Sequence, residues 1–341
     1  MLAALVAQEK TNYMNLIIPM AGKGTRLRPH TLSTPKPLLE IAGKSIVQRI
    51  VDLVSQSTTA KIKNIGFIIE SKNVEIESML FQMCSENNIL CTVFYQGNPR
   101  GTAHAIYSAK KLLKGPTLII FADTLFETSL SLSLEAEGCI FVKEVKDPSA
   151  YGVVKINKKG HVTEFVEKPK NPISNLAIIG LYYFKEGQVL SQALKEILDH
   201  EIIEKGEYQI TTALENLKKS GLKFSAHTVE KWLDFGTPKN VLASHLSILN
   251  KEKISYGEYQ NTTITPPCYI HPSAKIKNSV IGPNVSIGKN TTITASTIQN
   301  SIIQSNSRIE GAIFNNSIIG HHVDFTNNFN EVSIGDYCKF K

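Results

Sequence analysis

Gly22-Lys23-Gly24-Thr25-Arg26-Leu27-Arg28-Pro29-His30-Thr31-Leu32-Ser33-Thr34-Pro35-Lys36-Pro37 is the stretch from which the rest of the chain is read. It follows a short apolar run, Asn15-Leu16-Ile17-Ile18-Pro19-Met20, with the character of a buried first strand. Glycines leaving a strand let bare backbone N–H groups approach an anion, because no Cβ intervenes. Arg26 adds a planar cationic fork and Lys36 a mobile point charge, and both suit phosphate. Two familiar phosphate loops are excluded. A Walker loop carries Ser or Thr directly after its Gly-Lys, where this chain has Gly24, and a dinucleotide fingerprint carries a third glycine where Leu27 stands.

Composition narrows the partners of such a loop. The 341 residues suffice for two domains, and 42% hydrophobic content suits a globular protein. The net charge of +7 admits nucleic acid, an acidic membrane or small phosphorylated molecules. With no dense Lys/Arg block and no aromatic-plus-basic RNA motif, small phosphorylated molecules are the simplest partner, and neither nucleic acid nor membrane is expected. The five cysteines, Cys84, Cys91, Cys139, Cys268 and Cys338, are odd in number and lack CxxC spacing. They read as free thiols of a reducing cytoplasm. No apolar run approaches the ~20 residues of a membrane helix. Met1–Ala7 is apolar but short and has no basic leader, so residues 1–13 are read as an extension before the fold, not a signal peptide.

Beyond the loop the pattern alternates. A helix is expected over Lys44–Ser57, a strand over Asn64–Glu70, a helix through the seventies and a strand over Cys91–Tyr95. Gly101–Lys114 reads as a helix and Thr117–Ala122 as a buried central strand that ends at Asp123. Such alternation predicts a mostly parallel sheet with helices on both faces, binding ligands at the carboxyl ends of its strands. Cys139–Phe184 instead reads as antiparallel hairpins, a lid for a second substrate. Helices follow near Gly187–His200 and Tyr208–Ser220, a strand near Lys223–Val229, and a last helix ending near Asn250.

After Gln260 the composition changes to Ile, Asn, Ser and Thr. Apolar residues recur every five or six positions: Ile264, Ile270, Ile276, Ile281, Ile287, Ile293, Ile298, Ile303, Ile309, Phe314, Ile319, Phe325. That step predicts a three-sided parallel β-helix of about four coils with an inward isoleucine ladder. Its open end and flat flank predict a homo-oligomer.

The G-x-G-T-R stretch followed by Pro-Lys closely resembles the signature of sugar-1-phosphate nucleotidyltransferases (NDP-sugar pyrophosphorylases), and the terminal repeat resembles the left-handed hexapeptide helices that many of them carry. The resemblance implies an α/β fold, a Rossmann-like mixed sheet forming a nucleotidyltransferase domain over residues 14–255, followed by a left-handed parallel β-helix over 256–341. It implies Mg²⁺ and two substrates, a nucleoside triphosphate and a sugar-1-phosphate. Mg²⁺ takes one or two carboxylates plus substrate phosphates. The aspartates matching the family's metal ligands are Asp123, in Phe121-Ala122-Asp123-Thr124, and Asp234, in Trp232-Leu233-Asp234-Phe235-Gly236. One departure is Ala122, where the family commonly has Gly.

By the same resemblance Arg26, Lys36 and Lys168 carry the catalytic charge. Ala21, Gly22, Gly24 and Thr25 meet the nucleotide, and Gln96, Gly101 and Thr102 read its base. Glu167 and Lys168 of Val166-Glu167-Lys168-Pro169, with Gly152, Asn175 and Gly180, meet the sugar; Gly180 reads equally as a strand bulge. His104 reads as structural. Thr212 stands where the family often has the acid of Gln-Ile-Thr-Asp. The layout suits glucose-1-phosphate with dTTP or UTP, whereas Gly101-Thr102-Ala103-His104-Ala105 most resembles uridylyl enzymes of N-acetylglucosamine phosphate. Two other readings remain: a non-catalytic regulatory relative, disfavoured because Arg26, Lys36, Asp123 and Asp234 are all present, and acyl transfer by the β-helix, whose candidate bases His271, His321 and His322 lack a long insertion loop beside them.

Overall fold

The computed structural model describes residues 13–58, 60–127, 136–171, 173–252 and 256–327, so the expected N-terminal extension, except Tyr13, and Cys338 lie outside the described residues. The elements run β1 (Tyr13–Pro19), β2 (Glu40–Ile41), β3 (Lys44–Ser45), α1 (Ile46–Ser57), β4 (Lys61–Ile69) and α2 (Val74–Glu86). Then come β5 (Leu90–Tyr95), α3 (Thr102–Ser108), β6 (Thr117–Ile120), β7 (Thr124–Glu127), β8 (Gly138–Glu144), β9 (Gly152–Ile156) and β10 (Val162–Glu167). They are followed by β11 (Leu176–Phe184), α4 (Gly187–Asp199), α5 (Ile210–Lys219), β12 (Phe224–Thr228), β13 (Lys231–Asp234) and α6 (Pro238–Lys251). Compactness divides the chain into two units, residues 1–22 with 50–232, and residues 23–49 with 233–341.

The first unit is a nine-stranded mixed sheet. Its parallel half, β6-β1-β4-β5, is the alternation read from the sequence. Leu16, Ile17 and Ile18 of β1 and Leu118, Ile119 and Ile120 of β6 are fully buried, as a strand covered on both faces requires. The other half is mainly antiparallel: β11 pairs with β6 and β8, and β9 with β10 and β11, while β12 runs parallel to β8. The Cys139–Phe184 strands therefore complete the sheet, and β11 lies at its centre.

The helix expected over Gly101–Lys114 breaks. It ends at Ser108 and resumes as a 3-10 turn over Lys110–Leu112. Ile106, Ala109 and Leu112 face the core at a spacing of three, which suits the tighter turn. Asn15 Nδ2 then donates to the Leu112 and Lys114 carbonyls at 3.0 Å each, satisfying the acceptors that a continuing helix would have used.

In the second unit the β2–β3 hairpin is held from within by Arg49. This side chain is 8% exposed and donates to the Ile41 carbonyl through Nε at 2.9 Å, to Ala42 O at 2.9 Å, and to Glu252 Oε1 at 2.5 Å. The β-helix has three four-stranded parallel faces. Thr263–Ile264, Val280–Ile281, Thr297–Gln299 and Ile313–Asn315 stack on the first. The faces begun by Cys268–Ile270 and Lys275–Lys277 repeat the pattern, giving four coils of a left-handed hexapeptide helix. Ile281, Ile287, Ile293, Ile298 and Ile309 are fully buried along the axis. Asn278, Asn284, Asn290, Asn300, Asn306 and Asn316 take the left-handed backbone at the corners, where Asn costs least among residues with a Cβ. Their amides stack between coils: Asn284 Nδ2 donates to Asn300 Oδ1 at 2.8 Å, and Asn300 Nδ2 to Asn315 Oδ1 at 2.9 Å.

Candidate active site

The candidate residues fall into sets within each unit. In the second unit, a 3-10 turn over Thr25–Leu27 buries Leu27 and leaves Thr25 and Arg26 exposed. Leu27 N–H donates to Gly24 O at 2.9 Å and Thr31 Oγ1 to the same carbonyl at 2.8 Å, so the turn is tied twice at Gly24. A methyl on Gly24 would sit 3.2 Å from Lys36 Cβ, which places the start of the Lys36 side chain against that turn.

Asp234 ends β13. Its Oδ1 accepts from Gly236 N–H at 2.8 Å, its Oδ2 accepts from Asn240 Nδ2, and its carbonyl accepts from Ser244 Oγ at 2.9 Å. These donors exist because Thr237 caps α6, accepting Asn240 N–H at 3.3 Å, with Pro238 at the first helical position. The helix start thus orients the carboxylate. A Cβ on Gly236 would lie 3.0 Å from Asp234 Oδ1 and 3.4 Å from Arg26 Nη2, so carboxylate and guanidinium flank one glycine.

In the first unit, Ala21 is buried, Gly22 is open, and Asp123 follows the end of β6. Ala122 N–H donates to Pro19 O, Phe121 N–H to Gly180 O at 2.9 Å, and Thr124 Oγ1 to Ile179 O at 2.7 Å. The backbone on either side of Asp123 is therefore held by the end of β1 and the middle of β11. Gly180 has φ +81°, and a Cβ there would stand 2.7 Å from the Phe121 ring. It forms the expected strand bulge, where the β8–β11 register shifts. Two residues on, burial and the nearby carboxylates of Glu167 and Asp123 push the Tyr182 hydroxyl well above the usual phenol range.

Glu167 ends β10 and is 9% exposed. Burial raises its carboxyl pKa, opposed by a hydrogen bond from Thr211 and by the Lys168 charge. A Cβ on Gly152 would approach Glu167 Oε2 and Thr211 Cγ2 to 3.0 Å each, so the small residue leaves room for this pair. Lys168 has φ +41°, a backbone that side-chain-bearing residues rarely take, and its Nζ lies 3.7 Å from Glu167 Oε1. Its N–H donates to Tyr151 O at 3.1 Å, and Tyr151 packs edge-on to Trp232. Asn175 is exposed at the entry to β11.

Gln96, 8% exposed, follows β5; its Nε2 lies 3.2 Å from Gly101 O and 3.2 Å from His104 Nδ1. Burial and Arg100 lower the His104 pKa, so the imidazole is a neutral support for the amide, the structural role expected of it. Thr102 opens α3 and commits its hydroxyl to Ile210 N–H and Gln209. Sequence reasoning missed Thr211, Tyr182 and Asn240. Each acts through a residue distant in the chain or through the geometry of a helix start, and no local spacing marks such a pairing.

Residues 16–251 match the nucleotidyl transferase family and residues 264–337 the GMPPB C-terminal domain. The chain is 34% identical over 243 residues to the bifunctional protein GlmU of Methanocaldococcus jannaschii, covering 70% of this chain and 55% of that protein. It is 27% identical to a glucose-1-phosphate thymidylyltransferase of Streptomyces antibioticus, covering 96% and 99% of the two chains. A crystal structure of UDP-glucose pyrophosphorylase with UDP-glucose shares the fold, with a TM-score of 0.58 and 22% identity over 70% of this chain and all of that one. The match extends from before the glycine loop to the end of α6 and takes in every candidate residue, so the chain belongs to the nucleotidyl transferase family.

Proposed function

We propose that the chain joins a nucleoside triphosphate to a sugar-1-phosphate, giving an NDP-sugar and pyrophosphate. Glucose-1-phosphate with dTTP or UTP is the preferred pair. The observation that carries the reading is Gly236, flanked by an oriented carboxylate and an exposed guanidinium. A sugar-phosphate oxygen attacks the α-phosphorus, and the chemistry needs alignment and charge neutralisation more than covalent help. Arg26 meets charge developing on the α-phosphate and departing pyrophosphate, and Lys36 neutralises the triphosphate. Glu167 accepts from sugar hydroxyls and Lys168 pairs with the sugar phosphate. Gln96 offers a donor and an acceptor to the base edge.

Asp123 and Asp234 supply hard oxygen donors and no soft ones, which fits Mg²⁺. Among the described residues no group of three or more His, Cys, Asp or Glu side chains is placed to hold a metal. Mg²⁺ generally takes one or two carboxylates and fills the rest of its shell with water and substrate phosphates. When bound, Mg²⁺ would screen the phosphates and align them for attack. Asn240 and the Gly236 N–H hold the Asp234 carboxylate for that ion.

A panel of four nucleoside triphosphates against several sugar-1-phosphates, read by pyrophosphate release, tests the reading. Turnover lost in Asp123→Ala and Asp234→Asn supports it; no release with any pair overturns it. The uridylyl alternative with N-acetylglucosamine-1-phosphate, suggested by Gly101–Ala105, is one cell of the same panel. A cytoplasmic homo-oligomer belongs to this reading. Among the described residues no helix is long and apolar enough to cross a membrane, and Ile313 on the β-helix flank is 83% exposed. A light-scattering mass equal to one chain would remove the oligomer.

A further inference from the structure

Between the base-reading segment and the sugar-holding carboxylate runs one short piece of backbone, Glu207–Thr211. At its first end it grips Gly101 from both sides. Tyr208 N–H donates to Arg100 O at 2.9 Å, and Ala103 N–H donates to Tyr208 O at 2.9 Å. Gly101 sits between these two bonds with φ +116°, and a Cβ there would stand 2.5 Å from Tyr208 O and 2.7 Å from Tyr208 N. The strap leaves no room for any side chain at 101. The Arg100 guanidinium lies over the Tyr208 ring, 5.5 Å from its centroid.

The middle of the strap is fastened by Thr102. Its Oγ1 accepts from Ile210 N–H at 3.0 Å and lies 3.3 Å from Gln209 Oε1. Ile210 begins α5, so a residue more than a hundred positions away satisfies an N–H that a helix start leaves open. Gln209, 5% exposed, also donates to Glu207 Oε2 at 3.3 Å.

At its far end the strap reaches the sugar side. Thr211 is 4% exposed and its Oγ1 donates to Glu167 Oε2 at 2.9 Å. The charged groups acting on that carboxylate are Lys168, which stabilises its ionised form, and Glu204, which opposes it. Glu204 in turn accepts from Thr212 Oγ1 at 2.9 Å.

We infer that Glu207–Thr211 is a brace shared by the two substrate subsites, and that Thr102 and Thr211 are positioning residues that make base recognition and sugar recognition depend on one another. The inference rests on reading Gln96–Gly101 as the base segment and Glu167 as the sugar ligand. Moving Gly101 to fit a base shifts Tyr208. That shift passes through Ile210 to Thr211, whose hydroxyl sets the aim of Glu167. A buried carboxylate deprived of its hydroxyl donor is both misaimed and harder to ionise.

The test is steady-state kinetics on the full chain, with the triphosphate and the sugar-1-phosphate varied in turn. Thr211→Val is expected to raise KM for the sugar-1-phosphate about tenfold. The acid limb of its kcat/KM profile should move to higher pH, and Thr211→Ser should restore both. Thr102→Val, although it lies on the base segment, is expected to raise both KM values. The Thr102→Val/Thr211→Val pair should lose at least threefold less than the product of the single losses. Gln209→Met removes the Oε1 that accepts from the Thr102 hydroxyl and carries the test should Thr102→Val fail to fold.

Effects of Thr102→Val confined to the triphosphate KM, with multiplicative losses in the pair, would overturn the shared brace. An unshifted acid limb in Thr211→Val would overturn the positioning of Glu167. A wild-type enzyme that releases no pyrophosphate with any substrate pair overturns the functional reading itself, and is thereby told apart from failure of the brace.

Discussion

The mixed sheet and the β-helix solve the same problem of burying apolar side chains, and they do so over different distances along the chain. In the β-helix every stacked pair is separated by 15 to 17 residues, as in Asn300–Asn315 and Ser279–Ser296. The sheet joins residues far apart: β11 meets β6 with Phe184 opposite Thr117, and β12 meets β8 with Phe224 opposite Gly138. Local repetition gives a rod whose coils are energetically alike. Non-local pairing gives many dissimilar positions, and dissimilar positions are what an active site needs. Glu167 and Asp123 come to bear on Tyr182 only because β10, β11 and β6 are brought together.

This comparison can be broken most sharply at Arg26. Arg26→Ala is expected to lower kcat roughly 10³-fold, about 4 kcal/mol in the barrier, with the unfolding midpoint unchanged because the side chain is exposed. A rate within threefold of wild type would remove Arg26 from the chemistry. The reverse separation is expected in the rod. Ile298→Ala, at a fully buried rung, should cost about 3 kcal/mol in urea unfolding while kcat stays within a factor of two. A fall in kcat matching the lost stability would show that the ladder does more than carry load.

Acid sharpens the contrast. His245 on α6 is 1% exposed, its Nε2 lies 2.6 Å from Ser286 Oγ, and burial followed by Arg49 lowers its pKa to about 3. The unfolded chain binds this proton near pH 6.5, so the stability His245 contributes is complete above that pH and is lost as pH falls towards 3. By pH 5 the loss is about 2 kcal/mol. Glu167 runs the other way. Its raised pKa means that stability is lost as pH rises through the folded value. Chemical denaturation at pH 7 and pH 5, for wild type and His245→Gln, reads the first effect, and equal losses in both would refute it. The smallest effect is at a corner: Asn300→Ala should cost about 1 kcal/mol and Asn300→Gly less, since only the backbone strain differs in sign between them.

The two regions also differ in how far their residues announce them. Three faces, four coils and the inward isoleucines could all be read from spacing, because each rung's partner is one repeat away. The parallel half of the sheet could be read from β–α alternation. The central place of β11 could not, since nothing in Leu176–Phe184 names β6 as its neighbour. The break after Ser108 has no local signature, and the carbonyls that follow its 3-10 turn find their donor in Asn15, some hundred residues earlier. Among the proposed site residues, the cationic loop and both aspartates are legible as motifs, whereas Thr211 is not. Its hydroxyl has meaning only beside Glu167, 44 residues before it. The division of compact units between Gly22 and Lys23, inside the glycine loop, likewise has no signature in composition.

The corner asparagines carry one more implication. A coil that bonds only to the coil above and the coil below can be duplicated or deleted whole without rewriting any other part of the chain. Stacked asparagines such as Asn284, Asn300 and Asn315 would simply find the next amide in line. The length of the rod is therefore a quantity that evolution, or an engineer, can dial in whole turns while the chemistry upstream keeps its sequence.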